Sequence, residues 1–440
     1  PRSTLFPYTT LFRSLLKNSW ALFTGYGIIM IAHGLQGNLL GVRAVIEEFN
    51  FIATGAIMSG YFVGYFAGAN VVPSLVQKVG HIRVFAAFAS TASLSILIHA
   101  VFVDPMVWVI GRFLTGFSII GIFIVVESWL NDRANNRTRG QVLSVYMFIS
   151  LMGLALGTLL LNFSSPEKYE PFILISVLLS IALVPILLTK RKPPKFKKIT
   201  GIKVKELYKI SPFGTVSMFC TGFIHSAIFT LGAVYAATIN FTIFEISLLL
   251  FIITTSGALF QWPIGYFSDR HDRRIIIIGC TFAAAIFCSL SMNASGASLD
   301  NMYLASSLGV DKIIFFIYVT LYAGMALPLF TLNLAYVNDY IPKEKFVAAG
   351  GGLQIIFGLG AMGGPIICSA LMYKYGPNGF FVHLLFFHIV IGLFGMYRIT
   401  KRSYKDNPES TFTPLPRNIT SLGIELDPTT GADISSAEEK

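Results

Sequence analysis

An all-α membrane protein is the fold class this sequence predicts, with twelve transmembrane helices arranged as two pseudo-symmetric bundles of six. Three observations predict it. Hydrophobic residues make up 54% of the 440 and charged residues only 12%, whereas a soluble domain carries about 25% charge. The apolar residues gather into runs of about 20, the length that crosses roughly 30 Å of hydrocarbon. Short loop patterns in the first half of the chain return in the second at near-constant offsets.

Taken in order, the opening PRSTLFPYTTLFRS has no initiator Met and resembles a translated cloning adaptor, so residues 1–14 are set aside as a non-native leader. Spans are expected at 19–42, 50–74, 82–103, 106–130, 140–163 and 170–189, then at 212–238, 243–267, 274–294, 312–338, 346–372 and 378–398. An even number of spans puts both chain ends on one side. Of the 33 Lys and Arg, only Arg43, Lys168, Lys312 and Lys374 fall in the loops of the opposite side, and Arg112 lies within a span. Positive charge gathers on the cytoplasmic side of such proteins, so both termini are expected in the cytoplasm of a bacterial inner-membrane protein.

The N-terminal half is residues 15–189 and the C-terminal half 212–400. Between them, residues 190–211 form a basic linker with nine Lys or Arg from Lys190 to Lys209 and a Pro193–Pro194 break. It serves as an orientation signal, as a contact for anionic headgroups, or as both. Residues 401–440 turn to Asp, Glu, Ser, Thr and Pro. Such a tail buries too little apolar surface to offset chain entropy and is expected to be disordered.

The repeat is visible in the loops. Asn131–Asp132 after span four reappears as Asn338–Asp339 after span ten, 207 residues on, and LVQKVGHIR after span two matches FSDRHDRR at an offset of 192. The longer loop at 295–311 absorbs the difference. Glycines punctuate span two (Gly60, Gly64, Gly68), span five (Gly153, Gly157) and span eleven (Gly358, Gly360, Gly363, Gly364). Small residues let helices approach closely in lipid, and such smooth faces also allow sliding. Cys220, Cys280, Cys288 and Cys368 lie within apolar runs and read as packed thiols.

Polar groups inside spans are costly, and so they are the candidates for function. Arg112 and Glu127 both fall in span four. His33 and His225 sit near the middles of spans one and seven, again 192 apart, and Gln36 shares a helix face with His33. Asn333 and Gln354 are further candidates for a substrate or proton cavity. Each has a plainer alternative: a snorkelling arginine at the outer interface for Arg112, and hydrogen bonding within the bundle for the others. His99, His383 and His388 remain unassigned. No GxxxxGK[ST] phosphate loop, nucleophile–base pair or metal-ligand cluster appears, so no cofactor and no enzyme is expected.

One stretch gives a family. Gly265–Arg274, GYFSDRHDRR, resembles the loop signature of the major facilitator superfamily, with Gly265, Asp269, Arg270, Arg273 and Arg274 in matching places and Asp272 where the family has glycine. RFLTG at Arg112–Gly116 resembles its fourth-span arginine motif, and GHIRVF and ESWLND resemble a bacterial branch with largely unassigned substrates. Gln77, where Asp269 has its counterpart, departs from the pattern. The resemblance implies a permease that moves a small solute by alternating access, with an ion or a proton as the coupling candidate. Drug efflux and nutrient sensing on a permease scaffold stay open. It also implies a monomer in the bilayer with no nucleic-acid partner. It further implies a cytoplasmic gate in which Glu127 pairs with Arg83 or Lys78, Asp269 accepts from amides near Arg139 to Gln141, and Asp339 pairs with Arg270 or Arg273.

Overall fold

The structure, a computed structural model, describes residues 7–135, 138–188, 201–295, 309–403, 407 and 410–430. The expected linker falls mostly outside them, as does the tail beyond residue 430. The helices in order are α1 (Pro7–Ile46), α2 (Phe51–Val79), α3 (His81–Val101), α4 (Pro105–Arg133), α5 (Arg139–Leu159), α6 (Glu170–Ile181), α7 (Leu183–Leu187), α8 (Val204–Ile210), α9 (Pro212–Thr238), α10 (Ile243–Ser268), α11 (Arg273–Ala294), α12 (Gly309–Ala326), α13 (Leu329–Asn338), α14 (Phe346–Tyr375), α15 (Gly379–Ile399) and α16 (Ser421–Ile424). Among the described residues, eleven stretches are long and apolar enough to cross a bilayer. The last of these, 57 residues long, is divided at Gly376–Asn378 into α14 and α15, which makes twelve passes. Residues 7–14 continue into α1 without a break.

Local chemistry sets the ends of these helices. Asn50 caps α2 through the Ala53 amide at 2.8 Å, Asp104 caps α4 ahead of Pro105, and Thr242 with Glu245 forms a reciprocal box at the start of α10. Asp272, the residue that departs from the family signature, caps α11 by accepting the Arg274 amide at 2.9 Å. A carboxylate there suits a helix start better than glycine does. Two passes are broken. The sixth divides at Ala182 and the tenth at Leu327–Pro328, where proline cannot donate an amide.

The internal repeat extends to backbone angles. Glu48 and Asn240, the two non-glycine residues at positive φ (56° and 60°) among the described residues, are 192 apart. Each turn closes with the same bond at that offset: Phe49 amide to Ala44 carbonyl at 2.9 Å, and Phe241 amide to Ala236 carbonyl at 3.0 Å. Gly41 packs on its own repeat counterpart, Ala233.

Each of the twelve passes has one end on the side where α1 begins and α15 ends, here the tail side. The halves meet directly toward the opposite, far side. There Gly41 of α1 rests on α9, and Gly55 of α2 lies against Ser369 and the Pro365 carbonyl of α14. Ser59 Oγ donates to the Met362 carbonyl, and Asn162 donates to Ser247 Oγ at 2.7 Å. Missing side chains at these glycines are what allow the approach.

On the tail side, residues 410–430, part of the stretch expected to be disordered, are packed against the bundle. Residues 410–430 enter between the halves and bury Leu415, Ile419, Leu422, Ile424 and Leu426. The physical reason is that the cavity supplies apolar walls and polar partners that a solvated tail lacks. The segment folds back on itself, and its neck is tied by Thr413 Oγ1 donating to Asp427 at 3.0 Å.

Candidate functional site: a central cavity and the segment that closes it

Between the halves lies a cavity of about 430 Å³, walled by α1, α2, α4, α5, α9, α10 and α14 and by Arg417–Leu422 of the tail segment. That volume is within the range of small-molecule sites. Among the described residues, no aspartate or glutamate lines it.

Arg112 points into this cavity from α4 and is 2% exposed. It is not a snorkelling residue at the interface. Its guanidinium lies 4.7 Å from the centre of the Tyr61 ring, and its Nε and Nη1 make no hydrogen bond. His33 stacks on the same Tyr61 ring, and its Nε2 is 3.3 Å from the Tyr61 hydroxyl. Tyr61 therefore joins the two sequence candidates, although sequence reasoning missed it. Its position beside Gly60, on the glycine face that packs against α4, was the available signal.

The other candidates are spread more widely. Gln354 lines the cavity and donates to the Arg417 carbonyl at 3.4 Å. Gln36 is buried behind the wall and donates to Thr115 Oγ1 at 3.2 Å. Asn333 is likewise buried, donating to Thr221 Oγ1 at 3.1 Å. His225 faces a second, smaller cavity of about 40 Å³, and its Nε2 donates to the Ala326 carbonyl at 3.2 Å beside the break in the tenth pass. The two histidines therefore open onto different chambers, with Arg417 and Asn418 lining both.

The gate residues take partners other than those the resemblance implies. Glu127 does not pair with Arg83, which is exposed, or with Lys78. Its carboxylate is fully buried and accepts from the Tyr146 hydroxyl at 2.7 Å, from the amides of Thr420 (3.1 Å) and Gly423 (3.0 Å), and from Thr420 Oγ1. The tail segment reaches Glu127 first, and its amides satisfy the charge without a cation. Asp269 accepts from the Phe412 amide at 2.8 Å and from Arg273 at 2.7 Å, not from the start of α5. Again the tail occupies the place expected for the other half. Asp339 pairs with Arg273, one of its two expected partners, and both are buried. Arg273 also donates to Ser410 Oγ at 2.8 Å. The ring of Phe412 lies against Gly265, in space that a β-carbon would fill. Arg270 instead lies over the Tyr266 ring at 3.5 Å, and Arg274 is held by Asp272 and by the Arg402 carbonyl.

The segment's deepest point is Arg417, whose guanidinium stands 3.2 Å from the centre of the Phe229 ring. Phe229 is 17 residues into α9, about 25 Å along its axis from the tail side. Tyr65 of α2 donates to the Asn418 carbonyl at 2.8 Å, and Asn131 of α4 donates to the Leu422 carbonyl.

Known proteins resemble this chain along most of its length. The family model described as Major Facilitator Superfamily matches residues 22–318 and 215–428. A protein of Escherichia fergusonii described as uncharacterized MFS-type transporter YcaD is 21% identical over 363 residues, 82% of this chain and 90% of its own length. Uncharacterized MFS-type transporter YE1530 of Yersinia enterocolitica is 24% identical over 330 residues, covering 74% and 82% of the two chains. Among solved structures, the nucleoside transporter NupG superposes with a TM-score of 0.70 at 13% identity over 88% of this chain and 99% of its own. A bacterial homolog of the human lysosomal transporter Spinster, in an inward-facing and unoccupied conformation, gives 0.66 at 12% identity over 89% and 97%. Twelve helical passes in two repeats, the signature at Gly265–Arg274 and the match of the family model agree: the chain belongs to the major facilitator superfamily of transporters, a family of multi-pass membrane proteins and not of enzymes.

Proposed function

We propose that this transporter carries a small solute bearing one negative charge, such as a monocarboxylate, across the cytoplasmic membrane by alternating access. The observation that carries the charge is Arg112. A guanidinium buried in the bilayer interior without an anion costs several kcal/mol, and a bound carboxylate would offset that cost while matching its fork of donors. Tyr61 and His33 stand beside it to fix the solute's orientation, and apolar walls accommodate its body. The positive-inside pattern supports a cytoplasmic location for the tail side. The far-side contacts then correspond to a state closed toward the exterior. Movement of the solute follows when the two repeats rock about the central site.

The test is a thermal-shift screen of the purified protein against small carboxylates, sulfonates and their neutral isosteres. A ligand that binds only the folded state raises its apparent stability. Stabilisation by anions that is lost in Arg112→Gln and weakened in Arg112→Lys is expected. Stabilisation by neutral members alone, unchanged in Arg112→Gln, overturns the reading.

A further inference from the structure

We propose that residues 410–430 are an autoinhibitory plug: a length of the chain's own C-terminal tail that closes the central cavity from the tail side and must leave before solute can enter. Four observations converge on it. The segment reaches the middle of the bundle at Arg417, where it lines both cavities. It touches both halves, through Asp269, Arg273 and Gly265 on one side and through Tyr65, Glu127 and Asn131 on the other. It buries apolar anchors, with Ile424 packed on Gly350 of α14 and Ile419 fully enclosed. Its contacts on Glu127 are largely made by backbone amides, so they depend on the path of the segment more than on its side chains.

The residues that hold the plug are the same ones the resemblance assigns to closing the gate. Asp269 and Glu127 each bind the segment in place of a partner across the gate or from a loop. While the segment is seated, the two halves are spaced apart on the tail side and the gate cannot close. The plug thus blocks entry of solute and arrests rocking together. The consequence for transport rests on the alternating-access reading, whereas the occlusion does not, and the experiment reads the occlusion.

The experiment uses Thr230→Cys, a buried cavity-lining position on α9, on the full chain, in which the four native cysteines are buried. The probe is a negatively charged methanethiosulfonate. Labelling should be slow in the full chain and rise roughly tenfold or more once the blocked state is depopulated. Two variants should show the rise: one lacking residues 404–440, and a full-length Leu422→Asp/Ile424→Asp chain that expels the anchors. Limited trypsin digestion reports seating independently. Arg417 should be protected in the full chain and cleaved readily in the double variant, while Arg402, exposed at the end of α15, is cleaved in both. Equal labelling in all three chains overturns the proposal, as does cleavage at Arg417 in the full chain as fast as at Arg402. If the shortened chain does not fold, the double variant decides alone.

Discussion

The two ends of the bundle are joined by different means. On the far side, helix meets helix across glycines: Gly41 on Ala233, and Gly55 on Ser369 and Pro365. On the tail side, residues 410–430 stand between the halves, and each half bonds to them. The first seam is shape, made by missing side chains within elements that cannot leave. The second is a set of hydrogen bonds to a segment that is not part of any membrane-spanning helix. One end is therefore joined by complementary shape, and the other through a segment lodged between the halves.

The largest expected effect breaks the far seam. In Gly55→Leu the new side chain has to displace the Ser369 hydroxyl and the Pro365 carbonyl. Overpacking of this kind costs about 1–3 kcal/mol, roughly 5- to 150-fold in a balance between two states. Distance measurements between spin labels at the far ends of α2 and α14 should show the open-outward population rise. An unchanged distance distribution would mean that the seam is not set by this glycine.

Next is Glu127→Gln. A hydrogen bond to a charged acceptor contributes about 1.5–3 kcal/mol, and the amide keeps only part of it. Cleavage of the full chain by trypsin at Arg417 should accelerate about tenfold, at the low end of that range. Unaltered protection would show that the apolar anchors alone hold the plug. Thr420→Val removes one donor to the same carboxylate and leaves its amide in place. The loss of about 1 kcal/mol should raise cleavage about fivefold.

The smallest effect returns to the far side. Asn162→Ala deletes the part-buried bond to Ser247, about 0.5–1.5 kcal/mol. It should lower the thermal midpoint by no more than a few degrees. A fall comparable to that in Gly55→Leu would contradict the claim that shape, not hydrogen bonding, makes that seam.

Much of this was legible in the sequence. Membrane spans announce themselves because lipid demands long uninterrupted apolar runs, and the offset of 192 read from the loops recurs in the paired turns at Glu48 and Asn240. Arg112 and His33 stood out because polar groups in spans are rare. The plug was not legible. Leu415, Ile419, Leu422, Ile424 and Leu426 are too few and too irregularly spaced to form a core, and by composition they belong to a solvated tail. Their burial depends on walls contributed by residues far away in the chain. For the same reason Glu127 seemed to need a cation, since nothing local reveals that backbone amides some 290 residues later will meet it.

The tether of the plug has a quantitative consequence. Ile399 ends the last pass and Ser410 begins the docked segment, so only ten residues separate anchor from ligand. A short tether holds its ligand at an effective concentration on the order of millimolar. The segment can thus dock with an intrinsic affinity far too weak to capture it from solution and still occupy the cavity most of the time. A solute wins the exchange when its concentration relative to its own Kd exceeds the segment's effective concentration relative to the segment's intrinsic Kd. Occupancy becomes a graded comparison between what the cell supplies and a reference concentration written into the length of the chain.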